Sequence, residues 1–409
     1  MNPDELIPLE RALALVLEAG VRLDRETIPV SEARGRVLAE TVRADRDSPP
    51  FDRSAMDGFA LRSADAITPG AVLELREEVA AGAMPRWPVG PGEASRIFTG
   101  APIPAGADAV QMVEKTETLD AGRKVRILEP VRPGEHIRWQ GEETRAGRVV
   151  MEPGVLLDAP GIGYLSWVGK RQLSVYRRAR VGILATGDEL VEADQEPTGA
   201  QIRNSNGPML SAIVEAAGGI PVYLGISPDD PDRLRTLVEK GFASDLLLVS
   251  GGVSVGDRDF VEAILDELGV ELKFRKVAIK PGKPVLFGSR GSTRIFGLPG
   301  NPASCLVIFH CLVQPLMRKM MGYRKWQAPA IRATLGKPVR RNRHRLGLYQ
   351  ARCEPGPAGW TVEPVSSTGS GDLLSCVRAN AMIRIPIGEG EIRAGEPVDV
   401  YLIEGFAFR

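Results

Sequence analysis

Hydrophobic residues in the middle of the chain, from residue 179 to residue 323, change their spacing at short intervals. The apolar run 246–249 is too short for a helix and does not alternate, which indicates a strand buried on both faces. Apolar residues then recur at helical spacing over 261–268. We predict further strands at 181–185, 221–226 and 293–296, and further helices at 209–217, 231–240 and from Pro302 onward. This alternation predicts a doubly wound α/β domain over residues 179–328.

Capping and helix-breaking residues predict where several helices begin and end. Asp230 is expected to cap the helix that starts at Pro231. Pro315 is expected to kink or interrupt the helix that starts at Pro302, because proline lacks the backbone N–H that a helix needs. An amphipathic helix is predicted over residues 4–20, with Asp4 as its cap and Gly20 at its end.

Short β-rich segments flank the predicted α/β domain on both sides. Turn signals built on glycine and proline separate them. Before the α/β domain, the predicted strands are 71–79, 94–98, 109–114, 124–128 and 149–156. After it, they are 331–335, 349–352, 360–365, 381–385 and 397–402. The second group predicts a small closing β domain.

The composition argues against several kinds of partner and cellular compartment. Lys and Arg together number 52, equal to Asp and Glu together, so no net charge points to nucleic acid or to an anionic membrane. The four cysteines form no C-x-x-C pair and no disulfide framework, which favours a reducing compartment. We find no signal-peptide pattern and no long apolar run, and therefore expect a soluble, cytoplasmic protein.

Two glycine-containing turns come between a predicted strand and a predicted helix. They are Ser250-Gly251-Gly252 and the segment 297–302, in which Asn301 is the expected cap. Free backbone N–H groups and the positive end of a helix dipole favour an anion at such a place. The alternative is that tight turns simply required glycine at these positions.

Carboxylates and lysines accompany these turns. Asp188 and Glu189 directly follow one predicted strand, and Asp257 and Asp259 follow another, so the four predict an oxygen-ligand site for a hard cation such as Mg²⁺. Asp229 precedes the predicted capping residue Asp230 and is expected to face this predicted site. Three lysines near a Pro-Gly turn would neutralise phosphate or another oxyanion; they are Lys276, Lys280 and Lys283. The alternatives are turn capping for the acids and a solvated loop for the lysines.

Other catalytic arrangements are absent from the sequence. The three histidines are far apart, and there is no zinc-ligand spacing, no Cys–His pair and no Gly-x-Ser-x-Gly segment. His310 lies on an apolar predicted helix and is expected to be packed rather than catalytic. Covalent acyl chemistry therefore has little support.

Six segments occur together in one order along the chain. They are PPFDRSAMDGFA (49–60), FTGAPIP (98–104), ATGDEL (185–190), SGGVSVGDRDF (250–260), KVAIKPGKP (276–284) and GLPGNP (297–302). This series resembles the molybdopterin molybdenumtransferase family, MoeA, which includes the gephyrin E domain. The SGGVSVG segment alone also fits the molybdopterin adenylyltransferases, but those resemble only the middle domain.

The resemblance implies an organisation and a reaction. It implies a composite amino-terminal domain (1–50 and 141–178), an inserted β-rich domain (51–140), a MogA-like α/β domain (179–328) and a carboxyl-terminal β barrel (329–409). It implies Mg²⁺-dependent insertion of molybdate into adenylylated molybdopterin with release of AMP. It also implies a homodimer whose cleft lies between the α/β domain of one subunit and the amino-terminal domains of the other.

Site residues follow from the resemblance position by position. The residues that match the family's catalytic cleft are Asp57, Thr99, Glu189, Asp229, Asp259, Lys276 and Lys280. Those expected to bind substrate are Ser250, Gly251, Gly252, Ser254, Lys283, Pro299, Gly300, Asn301, Pro302, Arg345 and Ser370. Glu143 stands where the family has aspartate. It is expected to act as a cleft carboxylate, with a side chain that is longer by one methylene. The segment around Arg345 is a looser match.

Two other function classes compete with this interpretation. The first is a Mg²⁺-dependent nucleotidyltransferase or phosphohydrolase, and a test for adenylylation of molybdopterin from ATP would discriminate it. A scaffold protein that retains the fold, as gephyrin does, would be expected to lose the cleft carboxylates, and nearly all are present here. Expected partners are a molybdopterin adenylyltransferase and proteins that receive the finished cofactor. Molybdate and adenylylated molybdopterin are the expected substrates.

Overall fold

The computed structural model describes residues 5–252 and 260–403, which divide into two units. The first comprises Met1–Glu40, Pro153–Ile162 and Gln172–Arg409, and the second comprises Thr41–Glu152 and Gly163–Arg171. No helix in these described ranges has the length and apolar character needed to cross a membrane.

A seven-stranded sheet organises the first unit. In spatial order its strands are Leu6–Ile7, Glu271–Val277, Pro284–Arg290, Thr293–Leu298, Leu246–Ser250, Arg180–Thr186 and Ile220–Ser227. The last four of these are mutually parallel, whereas Pro284–Arg290 runs antiparallel to both of its neighbours. The predicted α/β fold is confirmed, with an antiparallel part added at one side.

Strand order explains why distant motifs meet. The chain passes from Arg180–Thr186 to Ile220–Ser227 on one side, and then crosses to Leu246–Ser250 on the other side. The carboxyl ends of parallel strands lie at the same edge, and the crevice where the strand order reverses is the usual ligand site of such sheets. The segments that follow Thr186, Ser227, Ser250 and Leu298 are therefore brought to one edge.

Helices pack on this sheet and between its strands. Their bounds are Leu9–Ala19, Asn206–Ala216, Pro231–Gly241, Phe260–Glu267, Pro302–Ile308, Gln314–Met320 and Leu373–Arg378. Asp230 caps its helix as predicted, since its side chain accepts a hydrogen bond of 2.8 Å from the Arg233 N–H. The central core includes the fully buried rings of Phe287 and Phe296, whose centroids are 4.8 Å apart. Each such ring contributes a large apolar area to the core.

Two predictions about helices have different outcomes. The first helix begins at Leu9 rather than near residue 4, because Leu6–Ile7 pairs with the sheet in extended form and Pro8 disfavours a helical residue before it. Asp4 lies outside the described residues. The interruption at Pro315 is confirmed, since a π-helical turn, Phe309–Val313, separates the helix Pro302–Ile308 from the helix Gln314–Met320.

A closed five-stranded barrel follows in the same unit. Its strands are Ala330–Leu335, Leu346–Gly356, Gly359–Pro364, Ala381–Ile385 and Pro397–Leu402. Closure comes from pairing of Leu346–Gly356 with both Gly359–Pro364 and Ala381–Ile385. The short strand Ile279–Lys280 of the α/β region pairs in parallel with Leu346 and Gly347 at the barrel. Two-stranded pairs complete this unit, namely Arg25–Pro29 with Gln172–Tyr176, Leu190–Val191 with Ile202–Arg203, and Val339–Arg340 with Glu391–Ile392.

The second unit is built on a six-stranded sheet. In spatial order its strands are Ala109–Met112, Gly58–Leu61, Glu93–Ile97, Val72–Val79, Lys124–Ile127 and Thr116–Leu119. Two shorter pairs join Val42–Arg43 with Val149–Met151 and Arg53–Ser54 with Ile137–Arg138. Buried Phe59, Leu61 and Val125 form part of its core. The predicted β-rich character of this region is confirmed.

Candidate functional site

A pocket of about 620 Å³ opens at the carboxyl edge of the four parallel strands. Its size is in the range of small-molecule sites. The sequence-predicted residues that the structure brings together in its lining are Glu189, Asp229, Ser250, Gly251, Gly252, Pro299, Gly300, Asn301 and Pro302. These residues come from four different strand ends, so the sheet alone explains their convergence.

Gly251 shows why the first turn requires glycine. Its φ is +100°, a backbone conformation that L side chains rarely adopt. A Cβ at this position would lie 2.5 Å from the Thr186 carbonyl oxygen, which belongs to the neighbouring strand. The turn therefore passes too close to that strand for any side chain, and it leaves backbone exposed to the pocket.

Asn206 connects the two turns. Its side-chain Nδ2 donates to Ser250 Oγ at 2.7 Å and to the Gly300 carbonyl oxygen at 2.7 Å. Asn206 is the first residue of the helix Asn206–Ala216, and 7% of its surface is exposed. One buried amide thus holds both glycine-containing turns in fixed positions relative to each other.

Cys305 supports the second turn from beneath. Its thiol donates to the Pro299 carbonyl oxygen at 2.8 Å. Burial raises the pKa of the Cys305 thiol to about 12. The group therefore stays protonated at neutral pH, which suits a structural hydrogen bond and not a nucleophile.

An adjoining pocket of about 560 Å³ shares Pro284, Pro299 and Asn301 with the first. Its lining includes Lys280, which was predicted to be catalytic, and Lys283, Arg345 and Ser370, which were predicted to bind substrate. No Asp or Glu is present in this lining, among the residues that the structure describes. Three cations and no acid among the described lining residues favour an oxyanion as the ligand of this pocket.

The loop that carries Ser370 is fixed by Asp372. The Asp372 carboxylate accepts hydrogen bonds of 3.1 Å from the backbone N–H groups of Thr368 and Ser375. These bonds, that from Thr368 first, lower the pKa of the carboxyl below its ordinary value. Ser370 Oγ in turn accepts a bond of 2.9 Å from Asn301 Nδ2, which joins the loop to the second turn.

Several predicted residues lie elsewhere or outside the description. Asp188 and Lys276 are not in the lining of either pocket, although Asp188 Oδ1 accepts a hydrogen bond of 3.0 Å from the Asp229 N–H. Ser254, Asp257 and Asp259 lie outside the described residues. Over 5–252 and 260–403, no group of three or more His, Cys, Asp or Glu side chains has an arrangement that could hold a metal ion.

In the second unit, Asp57 and Thr99 form a hydrogen-bonded pair. Asp57 Oδ1 accepts from the Thr99 backbone N–H at 2.7 Å and from the Thr99 hydroxyl at 2.8 Å. The backbone bond first, and then the hydroxyl bond, lower the pKa of Asp57 below its ordinary value of 3.8. Asp57 therefore stays ionised at neutral pH.

Glu143 lies in the same unit with different partners. Its carboxylate accepts from Ser48 Oγ at 2.7 Å and is 3.5 Å from the Arg53 guanidinium. The Glu143 side chain is 55% exposed. The longer side chain thus retains a hydrogen bond, a nearby cation and access to solvent.

We predict that Thr99→Val raises the pKa of Asp57 part of the way to its ordinary value. The substitution removes the hydroxyl bond and keeps the backbone bond. Because a lowered carboxyl pKa stabilises the fold above the ordinary pKa, and this stabilisation is lost as the pH falls through the lowered value, the variant loses part of it in that acidic window. Carboxyl NMR titration measures the change. Thr116→Val, which removes a hydroxyl bonded to the Val113 carbonyl, is the control; an unmoved Asp57 pKa in Thr99→Val would contradict the prediction.

Sequence reasoning missed part of the first pocket. Its lining also includes Thr186, Asn204, Ser205, Asn206 and Leu373. One signal was available, since Gly207 and Pro208 follow Asn206 and proline is common in the first turn of a helix. That signal places the helix start three residues before the predicted 209 and puts the polar run 204–206 at the strand edge.

Three protein-family profiles match consecutive parts of the chain. Residues 7–169 match the MoeA N-terminal region (domain I and II), residues 182–319 match a probable molybdopterin binding domain, and residues 332–403 match the MoeA C-terminal region (domain IV). Together the three matches extend over most of the chain.

Individual proteins are similar over most of their length. Molybdopterin molybdenumtransferase from Nostoc sp. is 37% identical over 366 residues, which cover 86% of this chain and 82% of that protein. The Haemophilus influenzae protein of the same name is 37% identical over 360 residues, covering 86% and 87%. The crystal structure of a molybdopterin biosynthesis MoeA protein from Pyrococcus horikoshii has a TM-score of 0.84 and 32% identity, and covers 98% of this chain and 100% of that one.

Proposed function

The chain belongs to the MoeA family of molybdopterin molybdenumtransferases, enzymes of molybdenum cofactor biosynthesis, and on this premise we propose that it inserts molybdate into adenylylated molybdopterin with Mg²⁺ and releases AMP. The resemblance predicted from six ordered segments is thereby confirmed at the level of the family.

The observation that carries the proposal is the pair of adjoining pockets with different chemistry. The first has carboxylates and glycine turns, and the second has Lys280, Lys283 and Arg345. Molybdate is a dianion that must approach phosphate groups, which are also anionic. Cationic side chains in the second pocket offset this repulsion, and the backbone N–H groups of the glycine turns offer donors to phosphate oxygens.

Mg²⁺ suits the donors available at the first pocket. This ion is usually held by one or two carboxylates together with substrate phosphates and water, not by a complete protein cage. Glu189 and Asp229 supply two carboxylates in the lining. We assign Glu189 as a ligand and Asp188, Asp257 and Asp259 as further candidates. The ion, when bound, would polarise the phosphoanhydride and offset charge on its oxygens.

Asp57, Asp229 and Lys276 complete the proposed machinery. Ionised Asp57 is suited to orient water or the pterin side of the substrate, as is Asp229, while the ammonium group of Lys276 offsets oxyanion charge. The protein is proposed to act in the cytoplasm as a homodimer. Its proposed partners are a molybdopterin adenylyltransferase upstream and a cofactor-receiving protein downstream.

Purified protein incubated with adenylylated molybdopterin, molybdate and Mg²⁺ tests this function. We expect release of AMP that requires molybdate and stops when EDTA removes the divalent cation. A second reaction with ATP and molybdopterin tests the adenylyltransferase alternative. Formation of adenylylated molybdopterin there, or binding of substrate without any AMP release in the first reaction, would contradict the proposed transferase.

Mixed dimers test the proposed cleft between subunits. We expect Asp57→Asn and Lys280→Ala to be weakly active alone. If each site combines one subunit's α/β domain with its partner's amino-terminal domain, half of the sites in a heterodimer carry neither change, so mixing restores about a quarter of the wild-type rate. Unfolding and refolding the two variants together allows exchange. Absence of any gain, with heterodimers verified by mass, would contradict a shared cleft.

A further inference from the structure

Two buried polar atoms at the first pocket have no hydrogen-bond partner in the part of the chain that the structure describes. They are Thr186 Oγ1 and Asn206 Oδ1. Their residues are 5% and 7% exposed, and both belong to the pocket lining. A buried polar group that is left unpaired loses its bonds to water without replacement, so such groups are uncommon and call for an explanation. A ligand in the pocket would supply the missing partners.

The orientation of the Asn206 amide is fixed by its neighbours. The Gly300 carbonyl oxygen can only accept a hydrogen bond, so the side-chain atom 2.7 Å from it is the nitrogen. The unpaired atom is therefore the amide oxygen, which also only accepts. Phosphate and molybdate oxygens at neutral pH offer lone pairs and would be repelled there. The group that meets Asn206 is an N–H or O–H donor.

Thr186 adds a hydrogen-bond donor, which complements the acceptor at Asn206. Its hydroxyl donates one hydrogen bond and accepts others. It lies beside the first glycine turn, 2.8 Å from the position that a Cβ on Gly251 would take and 3.1 Å from that of Gly252. An acceptor at Asn206 and a donor at Thr186, in the lining of one pocket of about 620 Å³, suit a heterocycle that offers both an N–H group and a ring acceptor.

We propose that Thr186 and Asn206 bind the polar edge of a heterocycle of the substrate. Asn206 Oδ1 accepts a hydrogen bond from a ring N–H or amino group, and the Thr186 hydroxyl bonds to the adjacent ring acceptor. The identity of the substrate rests on the proposed function. Its two heterocycles, the pterin and the adenine, share this edge chemistry, whereas molybdate is assigned to the cationic side chains of the adjoining pocket.

Thr186→Val is the decisive variant, because it removes the hydroxyl without removing any hydrogen bond within the described residues. Asn206 is less suitable, since its loss also breaks the bonds to Ser250 and Gly300. We expect Thr186→Val to keep or raise the melting temperature and to bind one heterocycle about 3- to 10-fold more weakly, the value of one hydrogen bond. Thr186→Ser, which retains a hydroxyl, is expected to bind nearly as tightly as the wild type.

Titration calorimetry measures the affinity of each variant for AMP and, in a separate experiment, for molybdopterin. Weaker binding of AMP assigns the edge to adenine, and weaker binding of molybdopterin assigns it to the pterin. Unchanged affinity for both would overturn the proposal, as would a fall in melting temperature that shows the hydroxyl to be structural.

Ser95→Ala is the matched control. Ser95 in the second unit also has a buried hydroxyl without a partner among the described residues, and it is fully buried in the strand Glu93–Ile97. This variant is expected to bind both ligands normally. Calorimetry needs no turnover, so binding without molybdate-dependent AMP release would contradict the proposed function alone. If the wild-type protein turns over normally and Thr186→Val binds AMP and molybdopterin with unchanged affinity, only this inference is contradicted.

Discussion

Lys280→Ala lowers kcat/KM for molybdate by about 10- to 100-fold, the value of one charge-assisted hydrogen bond. Lys280 lines the adjoining pocket together with Lys283 and Arg345, without a carboxylate from the described residues to compensate them. Removing one of three cations weakens attraction of a dianion to that place. Because the Lys280 side chain is exposed, the melting temperature should change little. AMP release measured against molybdate concentration gives the constants.

A lysine on the barrel provides the control for this effect. Lys337 forms an ion pair of 2.6 Å with Glu363 and is 64% exposed, so Lys337→Ala removes the same charge away from the pocket. Its kcat/KM for molybdate is expected to match that of the wild type. An equal loss in both variants, or no loss in Lys280→Ala, would contradict the assignment. A loss confined to KM for adenylylated molybdopterin would assign the cation to phosphate instead.

Gly251→Ala lowers the free energy of unfolding by about 2–5 kcal/mol and abolishes binding of AMP. Two causes add: the left-handed φ of +100° costs about 1–2 kcal/mol for a residue with a Cβ, and contact 2.5 Å from the Thr186 carbonyl oxygen costs about 1–3 kcal/mol more. Relief of the contact moves the first glycine turn, which forms one wall of the pocket. Urea unfolding and calorimetry with AMP measure the two effects.

Gly225→Ala separates these two causes. Gly225 has a φ of +91°, close to that of Gly251, but apart from its two chain neighbours no heavy atom of the described residues lies within 4 Å of the place that its Cβ would take. The free energy of unfolding of Gly225→Ala should therefore fall only by the backbone contribution, about 1–2 kcal/mol. An equal fall in the free energy of unfolding of the two variants would show that the close contact with the Thr186 carbonyl oxygen does not destabilise Gly251→Ala.

The sequence alone predicted the elements whose pattern is local. The runs at 181–185 and 246–249 are apolar throughout and became buried parallel strands, and the cap at Asp230 and the break at Pro315 were read from single residues. Glu271–Val277 was missed although Leu272 and Phe274 alternate with Lys273 and Arg275, a pattern typical of a strand. Leu6–Ile7 was assigned to a helix because two residues carry no period that distinguishes the two structures.

Candidate residues divide in the same way. Glu189 and the two glycine turns were found because each directly follows a strand, and a strand end is visible in the sequence. Arg345 was predicted only by family resemblance, and it reaches Lys280 in the same pocket through the pairing of Ile279–Lys280 with Leu346 and Gly347. Thr186 and Asn206 were missed, since nothing in the sequence distinguishes a polar atom that lacks a partner from one that has it.

By itself, then, the sequence determined the alternation of strands and helices, the family, and the residue types available for oxyanions and metal. Only the tertiary structure decided which strand ends are neighbours, which cations share a pocket, and which polar atoms remain unpaired. The physical reason is range. Helix and strand periods, caps and turns arise from interactions over a few residues, whereas strand order and hydrogen-bond pairing depend on packing between segments far apart in the chain.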